Sequence, residues 1–511
     1  MRSTPNHTPL PGATTLIILL AATLPAAYHN MRNTPHWTAL RTDLPLDLEI
    51  YLDGGKRVLE NTPLYQGYIN EALQLPFTYP PFAGWVFSLI AGNDYHATGL
   101  IWYALTALAT LTVILLIFNT FNFQLTIKST LVAALITLAT LTLEPVHANY
   151  FFGQINIFLM LLVSLDFLLP EGKRLPGIGT GLAAGLKLTP AIFGIIFLVQ
   201  RRWWAAAGSA VTFLITVLIG NYTVTDGAQY WTGTFKDSTR IGDHTHPAAQ
   251  SIQSVLIRAY DNHSHLTWIL FVLAALILLI IALVTLIPQH HIALAVGVTG
   301  ITACLISPFT WTHHYVWIVI VLTAILCTIL QHGHQLVDKN PLNKLPGKII
   351  TTAGDQLAAA AALVTIAALS YPIVAGAYRP TPTYSVLVHN NPEHGHWYMW
   401  TFFFYIAAIA LVASTVWALR QTRTSMIKSD TCITTSTSTP TPSGSSPEQK
   451  QSSEKPTRKS SKPEPTPCVP KWNSVTTRRP PAKESTDSIT TTPTTKPSRT
   501  SEPESNTPAT E

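Results

Sequence analysis

The chain has 511 residues, 47% hydrophobic and 11% charged, with a formal net charge of +6. So few charges, gathered in connecting segments and the C-terminal tail, exclude an ordinary soluble domain and describe a polytopic membrane protein. The basic excess is not a nucleic-acid signal, because Lys and Arg at helix ends mark the cytoplasmic side, and the 4 cysteines (Cys304, Cys327, Cys432, Cys468) are too scattered for a disulfide framework.

Residues 13–29 form the first apolar stretch. No small-x-small cleavage site follows it, so it reads as a retained helix rather than a removed signal peptide. Asp47-Leu48-Glu49-Ile50-Tyr51 comes next. Leu48, Tyr51, Leu52, Val58 and Leu59 recur at helical spacing, which predicts an amphipathic helix flat on the outer interface with Asp47 and Tyr51 on neighbouring turns. Asp47 is then either a helix cap or an acid held just outside the bilayer for chemistry on a lipid-linked substrate.

Apolar runs occupy 98–118, 129–146, 152–169, 203–221, 266–287, 291–306, 314–331, 351–375 and 398–419. Most are near the roughly 20 residues that a crossing needs, and with the first helix they predict about ten spans. Two further stretches are ambiguous: Pro80-Pro81 opens 77–92, and Pro190 interrupts 176–199. Lys173-Arg174 and Arg201-Arg202 flank the second, so a full crossing would put one basic pair outside. A re-entrant hairpin removes the conflict and carries Lys187 about 20 Å up from the cytoplasmic side, at 1.5 Å per residue. With 77–92 interfacial or dipping as well, Lys128, Arg174, Arg202, Lys339, Lys344, Lys348 and Arg420 all face inward. Full crossing by both stretches would instead give about twelve spans and move Gly153-Gln154-Ile155-Asn156 to the cytoplasmic side.

Lys187 lies in the middle of an apolar segment, where an ionisable side chain is costly unless it meets an anion or water. A lipid phosphate would supply the anion; snorkelling to an interface is the simpler alternative. The outer loop from Tyr230 through Lys236, Asp237, Arg240 and Asp243 mixes aromatics with charge and suits a sugar or phosphate, with Arg240 as a second phosphate candidate, although each residue alone also reads as a solvated loop residue. His313-His314 follows Ser307-Pro308 at the entry to a span, where one of the two rings could orient a carboxylate or bond a phosphate or hydroxyl. His244-x-His246, His263-x-His265 and His394-x-His396 have the spacing of metal-ligand pairs, but chance pairs are expected among 18 histidines and no metal is predicted. Residues 424–511 are Ser, Thr, Pro, Lys and Glu with almost no large apolar residue, a composition that predicts a disordered cytoplasmic tail after a membrane domain over 1–423.

Several segments together resemble the actinobacterial polyprenol-phosphate-mannose-dependent α-(1→2)-mannosyltransferases of the GT-C superfamily. The resemblance rests on Asp47-Leu48-Glu49-Ile50-Tyr51 with Gly54-Gly55 and Pro63-Leu64-Tyr65, Phe77-Thr78-Tyr79-Pro80-Pro81-Phe82, Gly153-Gln154-Ile155-Asn156, Gly185-Leu186-Lys187-Leu188-Thr189-Pro190 with Arg201-Arg202-Trp203, and Ser307-Pro308 to His313-His314. Their order runs from about residue 13 to 420.

The resemblance implies an all-α bundle of about 10–12 spans in a bacterial plasma membrane, with its active site on the outer face. It also implies inverting transfer of mannose from a polyprenyl-phosphate donor to the 2-hydroxyl of a mannoside in a lipoglycan or phosphatidylinositol mannoside, without a cofactor. Asp47 would be the base, Lys187 and Arg240 would hold the donor phosphate, and His313 or His314 would orient Asp47 or meet the phosphate. Gln154, Asn156 and Tyr51 would contact sugar. A polyprenyl-phosphate arabinofuranosyltransferase and a lipid-linked sugar transporter are the alternatives, and no inverted repeat of the transporter kind is evident.

Overall fold

The computed structural model describes residues 45–246, 248–339, 407, 408 and 410–417. The first apolar stretch, the span expected at 351–375, His394, His396 and the tail lie outside these residues. All described residues belong to the first of two units into which the chain divides, Met1–Ser429.

Among the described residues the fold is all-α; strand-like pairing is confined to the isolated bridges Asn70–Leu75 and Ala249–Trp311. Helices α1 (Leu46–Leu59), α2 (Pro81–Ser88), α3 (Tyr95–Thr120) and α4 (Ile127–Thr140) come first. They are followed by α5 (Glu144–Phe152), α6 (Asn156–Phe167), α7 (Ile178–Leu186), α8 (Gly194–Val199) and α9 (Trp203–Thr223), then α10 (Gly227–Thr232), α11 (Ile252–Tyr260), α12 (His265–Leu286), α13 (Ile292–Ile306) and α14 (Ile318–Lys339).

Helices α3, α9 and α12 are each long and apolar enough to cross a bilayer. Their outer rows stay exposed as greasy side chains, including Leu100, Ile101 and Leu108 on α3, Leu214 and Leu218 on α9, and Leu270 and Ile277 on α12. Such rows need lipid rather than water around them, so the molecule is an all-α polytopic membrane protein.

Two expected spans are broken. The run 129–146 ends early because Pro145, at the second position of α5, starts a new helix after Leu143. Helices α5 and α6 then meet at a bend of 116°, set by Gly153 in the left-handed conformation at φ +67°.

The segment 176–199 takes the re-entrant form. Gly177 lies against Ala205, Gly181 against Ser209 and Thr212, and Gly185 against Thr216. Contacts that advance together along both helices make α7 and α9 parallel, so residues 187–202 must bring the chain back between them. The return begins at Lys187, whose extended backbone (φ −154°, ψ 129°) ends α7; it continues through a 3-10 turn at Thr189–Phe193 into α8. The base of this hairpin is fixed by Asp166 at the end of α6, whose carboxylate accepts from Gly177 N at 3.0 Å and Thr180 N at 2.6 Å. Lys187 is thereby carried to the same end as Asn156, the first residue of α6.

Helix α2 has 8 residues, about 12 Å at 1.5 Å per residue, too short to cross. It seats on Gly220 near the far end of α9 and beneath α1, where Gly54 meets the Phe77 ring and Gly55 the backbone of Phe87. Residues 46–59 and 81–88 therefore form a layer at one end of the bundle, as the amphipathic pattern of α1 predicts.

Candidate active site

The site lies under that layer. Asp47 occupies the first turn of α1, and Leu48, Tyr51 and Leu52, fully buried, clamp the helix down. Tyr51 stacks on Phe87 with centroids 4.4 Å apart. Gly153 is pressed against the same turn: a Cβ there would come within 2.8 Å of Pro45 Cβ and 2.9 Å of Leu48 Cβ. Only glycine accepts both that approach and the positive φ, and the next side chain, Gln154, is thus delivered to Asp47.

Gln154 Nε2 donates to Asp47 Oδ2 at 2.5 Å. Its Oε1 accepts from Tyr51 OH at 3.2 Å, Tyr79 OH at 3.3 Å and Asn156 Nδ2 at 3.2 Å, and the two tyrosine hydroxyls are 2.7 Å apart. Asn156 Oδ1 in turn accepts from Lys187 Nζ at 3.0 Å. Two amides therefore bridge a carboxylate and an ammonium that are far apart in sequence. Lys187 also lies 2.9 Å from His314 Nε2 and 5.3 Å from the Tyr79 ring centroid. Because an ammonium only donates, His314 Nε2 must accept, which puts the ring proton on Nδ1.

The two histidines do point apart. The His314 ring meets Lys187, and its carbonyl accepts from Cys304 Sγ at 3.3 Å. The carbonyl of His313 accepts from Asn156 Nδ2 at 3.3 Å, while its ring packs on Phe152 and Trp311 with Nε2 buried and unpaired. The turn carrying them is tied to the outer loop by Gln250 N to Thr310 O at 2.6 Å, Thr312 N to Ala248 O at 3.0 Å and Tyr315 OH to Gln250 O at 2.7 Å.

Asp47, Tyr51, Gln154, Asn156, Lys187 and His314 thus form one connected network, with His313 on its edge. Asp47 is held by Gln154, whereas orienting Asp47 is one of the two roles expected of the histidine pair, the other being contact with the phosphate. Arg240 stands one residue away: its Nη2 donates to Tyr65 O at 3.2 Å, and Tyr65 OH donates to Tyr79 O at 2.8 Å. Burial raises the Asp47 carboxyl to about 6, against the lowering effect of the Gln154 hydrogen bond and the Lys187 charge. An acid so placed changes charge near neutrality, as a general base requires.

Three residues escape the sequence reading of the site. Tyr79 lies within the Phe77–Phe82 motif, but nothing in that motif assigns it a role. Asp226 accepts from Leu64 N at 2.8 Å and Tyr65 N at 2.7 Å and so fixes the Pro63-Leu64-Tyr65 segment; an aspartate just after a span was its one signal. Cys304 reads only as part of an apolar helix.

The profile of Glycosyltransferase family 87 matches residues 77–308. The Mycobacterium tuberculosis polyprenol-phosphate-mannose-dependent alpha-(1-2)-phosphatidylinositol mannoside mannosyltransferase is 31% identical over 347 residues, covering 61% of this chain and 80% of that protein. The chain belongs to glycosyltransferase family 87. The Mycolicibacterium smegmatis protein of the same name is also 31% identical, over 359 residues, covering 62% of this chain and 80% of that protein. A phosphatidylinositol pentamannoside mannosyltransferase of M. tuberculosis is 31% identical over 280 residues, covering 54% of this chain and 64% of that protein. No solved structure matches.

Membership of family 87 bears out the family expected from the motifs and makes this protein a membrane glycosyltransferase. Within the network, Tyr79, Gln154, Asn156 and Lys187 fall inside the matched residues, as does Arg240, whereas Asp47, His313 and His314 flank them.

Proposed function

We propose that this family 87 protein transfers mannose, with inversion, from polyprenyl-phosphate mannose to the 2-hydroxyl of a mannoside carried by a cell-envelope glycolipid or lipoglycan, on the outer face of the plasma membrane. The observation that carries the reading is the chain Asp47–Gln154–Asn156–Lys187, which sets a near-neutral carboxyl and a cation at opposite ends of one hydrogen-bonded run. The names of the mycobacterial relatives supply the donor and the α-(1→2) linkage.

In this reading Asp47 removes the acceptor 2-hydroxyl proton as that oxygen attacks the anomeric carbon. The bond from the anomeric carbon to the phosphate oxygen breaks, and the electron pair leaves with polyprenyl phosphate. Direct displacement converts a β-linked donor into an α-mannoside. The oxocarbenium-like transition state needs its leaving group stabilised by fixed positive charge. Two of the three Lys187 donors are directed at Asn156 and His314; the third is available to the departing phosphate. Gln154 holds the Asp47 carboxylate, and the Tyr51 and Tyr79 hydroxyls close the site around it. His313, whose Nε2 is buried and unpaired, bonds a sugar hydroxyl.

The test is transfer by purified protein from polyprenyl-phosphate mannose to a synthetic α-mannoside, with the product linkage and anomeric configuration read by NMR. An α-(1→2)-mannosyl product supports the reading. Transfer only from a polyprenyl-phosphate arabinofuranose donor would reassign the sugar, and donor movement across vesicles without transfer would reassign the protein to transport.

A further inference from the structure

At the other end of the bundle from Asp47 lies a second polar site. Asn156 and Asp166 sit at opposite ends of α6, about 15 Å apart at 1.5 Å per residue. Around the Asp166 end opens a cavity of about 480 Å³, lined by Arg174, Gln200, Arg202 and His290 and by Thr120 at the end of α3. That volume suits a small ligand or a lipid headgroup.

The guanidiniums are only partly used. Arg202 directs Nη1 at the Asp166 carbonyl and the Gln200 amide oxygen, both at 3.2 Å. Arg174 directs Nε at the Leu169 carbonyl at 2.8 Å. The acid in the lining is Glu171, whose side chain is 91% exposed and reaches Arg174 Nη1 only at 3.7 Å, so it neutralises little. Burial and the Arg174 charge disfavour the Arg202 cation, with the Asp166 and Glu171 charges offsetting them in part, and an anion between the two guanidiniums would offset them further. The level of the site is marked by Trp203 and Trp204, 62% and 87% exposed at the first turn of α9, where indole rings mark the headgroup zone.

We propose that this cavity binds a phosphate group, carried by an anionic lipid headgroup or free in solution. Basic pockets between helices at the cytoplasmic surface recognise such headgroups. Bound there, the phosphate ties Arg174, before the re-entrant hairpin, to Arg202, at its end. The arms that carry Lys187 upward are thereby braced from below. The site is independent of the donor phosphate in the transfer reaction, which lies at the opposite end.

The experiment follows thermal unfolding of the purified full chain in neutral detergent, with added phosphatidylglycerol, phosphatidylcholine or inorganic phosphate in separate arms. A ligand that binds only the folded state raises the unfolding temperature in proportion to its occupancy. Phosphatidylglycerol is expected to raise it and phosphatidylcholine not; a matching rise with inorganic phosphate alone would identify the free anion as the ligand. Arg174→Gln removes one guanidinium, and Thr120→Glu adds a carboxylate to the facing wall while leaving both guanidiniums in place. Each should weaken the apparent affinity by about tenfold or more. Equal shifts with the two lipids together with no shift from inorganic phosphate, or an unchanged dependence in Thr120→Glu on whichever ligand raises the unfolding temperature, would overturn the proposal.

Discussion

Gln154 donates its amide N–H to the carboxylate of Asp47 from 107 residues away, and the same side chain accepts from Asn156, which in turn accepts from Lys187. A proposed base and a proposed phosphate-binding cation are therefore mechanically joined. A change at any link should be felt at both ends, which separates this account from one in which the residues act independently.

The pH dependence follows from Asp47. A base works in its deprotonated form, and burial places the carboxyl at about 6. Transfer should be near its plateau well above pH 6 and fall roughly tenfold per pH unit on the acid side. The pH profile of kcat/KM checks this, and an acid limb centred near the ordinary aspartate value would remove the buried Asp47 from the role.

Replacing Gln154 by Ala removes a hydrogen bond that favours the Asp47 carboxylate. The pKa then rises, so the acid limb should move to higher pH while the plateau falls. A plateau loss with no movement of the limb would confine Gln154 to contacts with substrate.

Lys187→Gln keeps a donor but removes the charge, and loss of one such electrostatic contact to a developing anion costs about 10²- to 10³-fold in kcat. Arg240→Gln should cost far less, because its Nη2 is bound to the Tyr65 carbonyl. Parallel kcat measurements on the two variants test the assignment, and an equal loss would move Arg240 into direct contact with the phosphate.

Gly153→Ala tests how the site is assembled. The left-handed backbone alone costs a residue with a Cβ about 1–2 kcal/mol, and the added carbon would press on Pro45 and Leu48. Lower thermal stability and loss of transfer should appear together, with the Gln154 contact to Asp47 the first to open.

Much of this was legible in the sequence for physical reasons. Continuous apolar runs of full length, as in α3, α9 and α12, leave little choice but a span, and their observed ends fall within a few residues of those expected. The basic pairs around 176–199 announced the re-entrant hairpin because two charged ends are both kept on one side. The break between α4 and α5 was hidden, since Pro145 is tolerated at a helix start as readily as at a span end. The partner of Asp47 was hidden too: it depends on a glycine turn meeting Pro45 and Leu48, a contact with no sequence period. His313 and His314 could be read as diverging, but only the packed turn decides that His314 faces Lys187.

The role of Asp47 is tested by comparing wild type with Asp47→Asn at matched levels, in membranes lacking the native protein, for transfer from polyprenyl-phosphate mannose to a short α-mannoside. Wild-type membranes should transfer, and the variant should insert normally yet lose activity by about 10²- to 10⁴-fold, the usual weight of a general base. Equal transfer by both would contradict the account, because the network around Asp47 would then serve something other than proton removal.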